Sequence, residues 1–377
     1  MTVEALFLYG TLRHAPLLTC VAGCEVPTEV ASLTDHAITH AETHEGAQQD
    51  FPLFTERAGA MATGLLARPN AEARARLDAY ERVFGYDTTQ ITVDTADGPV
   101  DAIIYVPRAE LWMPGRAWSL ETWVAGPGQL AVDVAGEVMA LLETTEPEAI
   151  LARFGMLEMR AASRQRAISE PAPTTLRRQS DPADVVVEEM RRPYTWFFGV
   201  EEADLSFRRF DGTQSVPVTR AGFIMADAVT ILPYDPQRDT VMLVEQFRFG
   251  PYARGDRNPW LLEPIAGRID PGETPEDAAR RETLEETRLT LHDLHQIGRY
   301  YVSPGSVTEY LISYVALADL PQSAEGVGGV AAEAEDIRAH VIPFAQLMAL
   351  IESGEIEDAP LLISAQWLAM NRERLRG

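Results

Sequence analysis

Gly267-Arg-Ile-Asp-Pro-Gly272-Glu273-Thr-Pro-Glu-Asp-Ala-Ala-Arg-Arg281-Glu282-Thr-Leu-Glu285-Glu286-Thr-Arg-Leu289 is the most informative stretch of this 377-residue chain. Gly267 and Gly272 permit a loop with positive φ. Thr274 is a good N-cap, Pro275 suits the first helical position, and Asp277 completes a capping-box pattern. The spacing predicts a helix from about Pro275 to Arg288. On it Glu282 and Glu286 lie four apart and share a face, with Glu285 beside them. Three packed carboxylates repel one another and raise their pKa values. A divalent cation removes that repulsion, and carboxylate oxygens suit Mg²⁺ or Mn²⁺. A cation held this way keeps positions open for water and a substrate phosphate. A solvated acidic helix face is the plainer reading of three glutamates alone. The glycine loop ahead of them and Arg281 in register favour the metal.

The stretch resembles the Nudix box, Gly-x5-Glu-x7-Arg-Glu-U-x-Glu-Glu-x-Gly-U, where U is a bulky aliphatic residue. Gly267, Glu273, Arg281, Glu282, Glu285, Glu286 and Leu289 all fall in place. Thr283 stands where the aliphatic residue belongs, and Arg288 replaces the second glycine. The resemblance runs from about Val185 to Trp367 and is greatest to the ADP-ribose pyrophosphatase branch. It implies an α/β/α sandwich. It also implies that the Ala266 carbonyl, Glu282 and Glu286 hold the metal, that Glu285 assists, and that Arg281 orients the acidic cluster. Downstream, Glu333 and Glu335 follow a glycine-rich stretch in Ala331-Ala-Glu333-Ala-Glu335-Asp336-Ile337. Glycine there suits a mobile loop that brings a base to the substrate. In that branch the loop supplies a base, matched by Glu333, and a metal ligand, matched by Glu335. Arg248 matches a phosphate-contacting arginine. Arg220 and Phe197 match residues that clasp the adenine across a homodimer formed by the Nudix domain. A guanidinium plane and a phenyl ring suit a purine sandwich.

Upstream of the box, strands are expected at Val185–Glu189, Asp204–Arg209, Gly222–Leu232 and Thr240–Phe247, with a turn at 235–239. Before them lies a Pro/Ser/Thr/Arg-rich linker at 169–184, and a helical period covers Gln129–Arg166. The chain therefore divides into residues 1–125, a helical segment and linker at 126–184, and residues 185–377. Two α/β units are also what this length suggests.

The first unit opens on Ala5-Leu-Phe-Leu-Tyr9, a buried strand running into Gly10-Thr11-Leu12-Arg13. Glycine at a strand end lets backbone N–H groups face an anion. A short helix at 71–80 carries Leu77 and Tyr80 on one face and leads to a single acid, Glu81. The Tyr9-Gly10-Thr11-Leu12 loop and Glu81 resemble the gamma-glutamylcyclotransferase-like (AIG2-like) superfamily over residues 4–110. That implies a small β-barrel with helices, and Glu81 as proton shuttle when a glutamyl amine attacks its own side-chain amide. An exposed helix-end acid in a binding or dimerisation module is the plainer reading. Fusions of these two units resemble bacterial proteins linked to tellurite resistance.

Composition narrows the function. Net charge is -25, from 57 acidic and 32 basic residues, and every basic residue is arginine. Such a surface repels nucleic acid. With no lysine, phosphate contacts fall to arginine, backbone N–H groups or metal. No run approaches the roughly 20 apolar residues of a membrane span, so no membrane partner is expected. Cys20 and Cys24 read as reduced thiols of a cytoplasmic protein. His36 and His40 follow, with nothing else to support a metal there. The expectation is Mg²⁺-dependent hydrolysis of ADP-ribose. A GDP-mannose-like sugar nucleotide as substrate, or a nucleotide-sensing module without turnover, are the alternatives.

Overall fold

The computed structural model describes residues 4–108, 112–196, 198–329 and 336–377. The chain forms two compact units, 1–161 and 162–377.

The first unit holds strands β1 (Leu6–Leu8), β2 (Thr28–Glu42), β3 (Gln48–Ala67), β4 (Tyr86–Thr95), β5 (Gly98–Pro107) and β6 (Met113–Ala117). Its helices are α1 (Ala15–Ala22), α2 (Ala71–Val83), α3 (Leu120–Ala125), α4 (Gly128–Leu141), α5 (Pro147–Leu151) and the start of α6 (Phe154–Ser169). Strands run in the order β3-β1-β5-β4-β2, and β2 pairs again with β3, closing a five-stranded barrel; β6 adds to β2 outside the ring. Closure removes the free edges that an open sheet must protect.

Alternation along β1 builds two cores. Ala5, Phe7 and Tyr9 join Leu66, Val93 and Ile104 in one cluster. Leu6 and Leu8 turn the other way, against a helical layer that includes Leu17, Leu77, Val138, Ile150 and Leu157. The helices at 128–161, set apart by the sequence pattern, thus share the first unit's core. In α2, Asn70 caps the N-terminus by accepting the Ala73 N–H at 2.8 Å. Cys20 and Cys24 are free thiols.

The second unit starts with an antiparallel sheet of β7 (Val185–Thr195), β8 (Gly199–Phe207) and β9 (Val218–Ile224). The main sheet comprises β10 (Ala228–Asp235), β11 (Thr240–Phe247), β12 (Trp260–Glu263), β13 (Ile265–Arg268), β14 (Leu294–Tyr301), β15 (Tyr310–Leu317), β16 (Gly326–Gly328) and β17 (Ile337–Pro343). Its order is β14-β15-β10-β11-β17-β16, with β12 on β11 and β13 on β10. Helices are α7 (Phe249–Arg254), α8 (Pro275–Thr287), α9 (Phe344–Ser353) and α10 (Ala359–Arg376).

Every residue of β10 is buried, and successive side chains feed opposite faces. Val229 and Ile231 join Ala278 and Ala279 of α8. Leu232 and Tyr234 join Leu347 of α9 and Leu361, Ala365 and Leu368 of α10. This is the expected α/β/α sandwich, fused to a barrel in a mixed α+β chain.

The apolar run 222–232 is not one strand. It breaks at residues 225–227, and its halves belong to different sheets. Polar anchors force the break. The Thr308 hydroxyl accepts the Met225 N–H at 2.8 Å, and Ser163 Oγ accepts the Asp227 N–H at 2.7 Å. The buried Asp227 carboxylate also takes Arg166 Nε at 2.8 Å. The 169–184 segment is largely irregular and exposed, but Arg178 and Arg208 pin it to Asp184 at 2.6 and 2.9 Å.

Candidate active site

α8 forms where expected, and its ends explain themselves. Thr274 Oγ1 accepts the Asp277 N–H at 3.1 Å. The Asp277 carboxylate takes the Thr274 hydroxyl at 2.7 Å, so the side chains pair with each other as well. Arg288, at the position of the box's second glycine, closes the helix with φ 59° and donates its N–H to the Leu284 carbonyl at 2.9 Å. Thr283, at the aliphatic position, is fully buried, and its hydroxyl is absorbed by the Ala279 carbonyl at 2.7 Å.

Gly267 lies under Glu282: a Cβ there would fall within the Glu282 carboxyl group. Ala266 sits one residue earlier in β13, in register with Thr230. Arg281 organises the acids. Its Nε and Nη2 grip Glu273 at 3.0 and 2.9 Å. Nη1 reaches Glu282 at 2.8 Å and Glu285 at 3.2 Å, and Nη2 also reaches the Arg268 carbonyl at 2.9 Å. Burial would push the Glu273 carboxyl up, but these bonds and the Asp270 N–H hold it below its ordinary range. Glu286 is 4% exposed, and Gly328 of β16 presses against its carbonyl so closely that a Cβ would overlap it.

Arg248 forms a bidentate pair with the buried Glu263, at 2.7–2.9 Å. Burial alone would lower its pKa. The Glu263 bond outweighs that, and the charges of Glu286 and Asp358 add to it. Asp358 caps α10 through the Leu361 N–H at 2.8 Å. Burial and the Glu263 charge push its carboxyl up to about 7. Glu309 is also raised by burial, against the pull of Arg268 and Arg248. Sequence reasoning missed Glu263, Glu309 and Asp358. Only Asp358 leaves a signal, as an N-cap before Ala-Pro.

Arg220 projects from β9 into a groove of about 260 Å³, opposite the 304–308 segment. None of the α8 carboxylates lines it. A second groove, about 320 Å³, is lined by Glu245, Asn258, Trp260, Val327, Asp336 and Arg338. Phe197, Glu333 and Glu335 lie outside the described residues. Among the described residues, no three His, Cys, Asp or Glu side chains form a group able to hold a metal ion by themselves. The donor set still suits a hard cation. It is all oxygen, and the side chain at 267 is reduced to hydrogen to seat Glu282.

In the first unit, Tyr9 is buried on the barrel side, and Gly10 passes Pro52 so tightly that a Cβ would stand 2.9 Å from its Cγ. Thr11 and Leu12 begin the short helical turn that follows. Glu81, near the end of α2, keeps some surface open to solvent. Burial, then the Asp78 charge, push its carboxyl up to about 8. Tyr9, Tyr80, Tyr86 and Tyr105 are all raised, burial first, and each feels the Glu81 charge. Tyr105 donates to Asp78 at 2.6 Å, and Arg74 does so at 2.8 Å.

Residues 225–363 match the family model described as NUDIX domain. Residues 6–125 match the one described as Gamma-glutamyl cyclotransferase, AIG2-like. An ADP-ribose pyrophosphatase of Escherichia coli (strain K12) is 37% identical over 193 residues, 51% of this chain and 91% of that protein. One from Haemophilus influenzae is 37% identical over 185 residues, 48% and 85% of the two chains. A GDP-mannose pyrophosphatase of Escherichia coli (strain UTI89 / UPEC) is 32% identical over 175 residues, 46% and 90%. Taken with the intact acidic cluster on α8, these matches make the chain a member of the Nudix hydrolase family, carrying an AIG2-like gamma-glutamyl cyclotransferase domain ahead of its Nudix domain.

Proposed function

We propose that the second unit hydrolyses ADP-ribose to AMP and ribose 5-phosphate, using Mg²⁺. The observation that carries this is the hydrogen-bonded set Glu273–Arg281–Glu282–Glu285 beside the buried Glu286. Similarity to ADP-ribose pyrophosphatases over nearly their whole length points to the substrate. Glu282 and Glu286, with the Ala266 carbonyl and Glu335, are the oxygen donors for the metal, and Glu285 assists. When bound, the metal neutralises charge on the diphosphate and polarises its phosphorus. Glu333 takes a proton from water as the water oxygen bonds to one phosphorus. The bridging P–O bond breaks, and its electron pair stays on the departing phosphate. Arg281 keeps the carboxylates in register. Arg248 meets the diphosphate, its fork already oriented by Glu263.

The functional state in this reading is a homodimer through the Nudix domain. Val185, Val187 and Met190 of β7 are each about half exposed and share one face of the sheet, an apolar stripe that a second copy would cover. Arg220 and Phe197 then clasp the adenine from the partner side. The test is release of the nucleoside monophosphate, with and without Mg²⁺: AMP from ADP-ribose, ADP-glucose and NADH, and GMP from GDP-mannose. Metal-dependent release fastest from ADP-ribose is expected. Preference for GDP-mannose, as the name of one group of relatives suggests, would overturn the substrate assignment.

For the first unit we infer intramolecular cyclisation of a glutamyl amine, with Glu81 as shuttle. The amine nitrogen bonds to the side-chain carbonyl carbon, the original amide C–N bond breaks, and Glu81 carries the proton from one nitrogen to the other. A carboxyl titrating at about 8 can both accept and return a proton near neutrality.

A further inference from the structure

Glu81 is not the only acid on its face of α2. Asp78 stands three residues earlier, so the two carboxyls are neighbours one helical turn apart. Like charges at that spacing destabilise a helix, and more so where water is thinned out, as it is around the partly buried Glu81. The fold nevertheless fixes Asp78 in place. Its Oδ1 accepts the Tyr105 hydroxyl of β5 at 2.6 Å, and also Arg74 Nε, one turn back on α2, at 2.8 Å. The Arg74 side chain is only 16% exposed, so solvent does little to screen this pair.

The other elements packed around Glu81 offer it groups that stay neutral at physiological pH. Tyr9 of β1, Tyr86 of β4 and Tyr105 of β5 feel the Glu81 charge, as does Tyr80 beside it, and burial raises all four phenols. Cys20 of α1 and Glu158 of α6 act on Tyr80. After burial, the charge that acts on Glu81 itself is that of Asp78.

A shuttle accepts a proton from one atom and returns it to another, and does so best when its affinity lies near the working pH. Burial raises that affinity only as far as water is kept out. A neighbouring charge held by two hydrogen bonds sets it by geometry. We propose that Asp78 is a positioning residue for the first unit: clamped by Arg74 and Tyr105 one turn from Glu81, it holds a fixed negative charge against the shuttle carboxyl. The proposal rests on Glu81 being the proton shuttle of that unit.

The test is a ¹³C NMR titration, from about pH 5 to 10, of the full chain labelled at the glutamate side-chain carboxyl. Glu158, pushed up to about 7 by burial and the Asp50 charge, titrates in the same window, so the Glu81 signal is the one absent from Glu81→Gln. Asp78→Asn keeps an oxygen for Tyr105 and Arg74 and removes only the charge. It should lower the Glu81 midpoint by about one pH unit. Arg74→Met and Tyr105→Phe keep the charge but remove its partners, and should raise the midpoint. A clamp that merely ties α2 to β5 predicts otherwise: loosening it would admit water and lower the midpoint in all three variants. An unmoved midpoint in Asp78→Asn, or a lowered one in Arg74→Met and Tyr105→Phe, would overturn the proposal. Release of 5-oxo-L-proline from L-γ-glutamylethylamine over the same pH range tests the shuttle reading beneath it. The acid limb of the rate profile should follow the Glu81 midpoint, and Asp78→Asn should carry it to lower pH. No release by the wild type, with the NMR midpoints moving as expected, would sink the cyclisation reading and uphold the Asp78 clamp.

Discussion

The Glu282 side chain occupies the space that a Cβ on Gly267 would need. The first glycine of the Nudix box is therefore a seat for a carboxylate as well as a loop residue. Gly267→Ala should push Glu282 off this seat and out of Arg281's reach. We expect a loss of about 1–3 kcal/mol from overpacking. Turnover should fall on the order of 100-fold, because small misplacements of a catalytic group are that costly. Thermal melts and AMP release read the two effects separately; wild-type turnover in Gly267→Ala would disprove the seat.

Arg281 is the counter-charge for three glutamates, and Glu273 is the one it holds through two nitrogens. Arg281→Gln leaves those acids without a cation at a partly solvated site and should cost about 1–3 kcal/mol, the loss of charge-assisted hydrogen bonds. Glu273 adds a pH signature. Its carboxyl titrates below its ordinary 4.5 in the folded chain. The stability it contributes is present above that value and is lost as pH falls through the lower, folded one. Glu273→Gln should flatten the fall in melting temperature below about pH 4.5. Parallel melting curves for the variant and wild type would count against the assignment.

Much of this was legible in the chain. Thr274, Pro275 and the Glu282/Glu286 spacing marked α8, because caps and i,i+4 spacing are local signals. The apolar runs at 228–232 and 240–247 marked two strands, though not their place at the centre of the sheet. The long β2–β3 hairpin has little local pattern to mark it. β2 mixes Thr, His, Asp and Glu with few large apolar residues, since much of it faces solvent. The break at residues 225–227 depends on Ser163 and Thr308, which are more than 60 residues away in sequence and leave no local sign. Glu309, Glu263 and Asp358 owe their environment to tertiary burial around Arg248, which no spacing rule reports. Thr283 looked like a flaw in the box and is a satisfied core hydroxyl.

Arg288 is a real departure with a measurable cost. It holds φ 59° at the helix end, where glycine has no side chain to strain. Arg288→Gly should relieve about 1 kcal/mol of left-handed strain. For a unit of this size that raises the melting temperature by roughly 2–4 °C. Turnover should be unchanged, since the cap geometry already exists. A lower melting temperature would mean that the Arg288 side chain contributes more than its backbone costs.

Glu81 makes the opposite pH prediction to Glu273. In the unfolded chain its carboxyl ionises near 4.5, but in the fold only near 8. Between those values the unfolded chain binds fewer protons than the folded one. Stability from this group is therefore full below about 4.5, declines as pH rises through the window, and is flat above it. Glu81→Gln, always neutral, should match wild type at pH 5 and melt higher than wild type at pH 9. Any cyclisation by the first unit should drop on the order of 10²-fold or more, because the shuttle is gone. Arg74→Met offers a control: it removes the cation beside Asp78, leaving only the Tyr105 hydroxyl on it, and should push the Glu81 carboxyl further up without touching Glu81 itself. If Glu81→Gln and wild type melt in parallel from pH 5 to 9, Glu81 is an ordinary surface acid and the proton-shuttle reading fails with it.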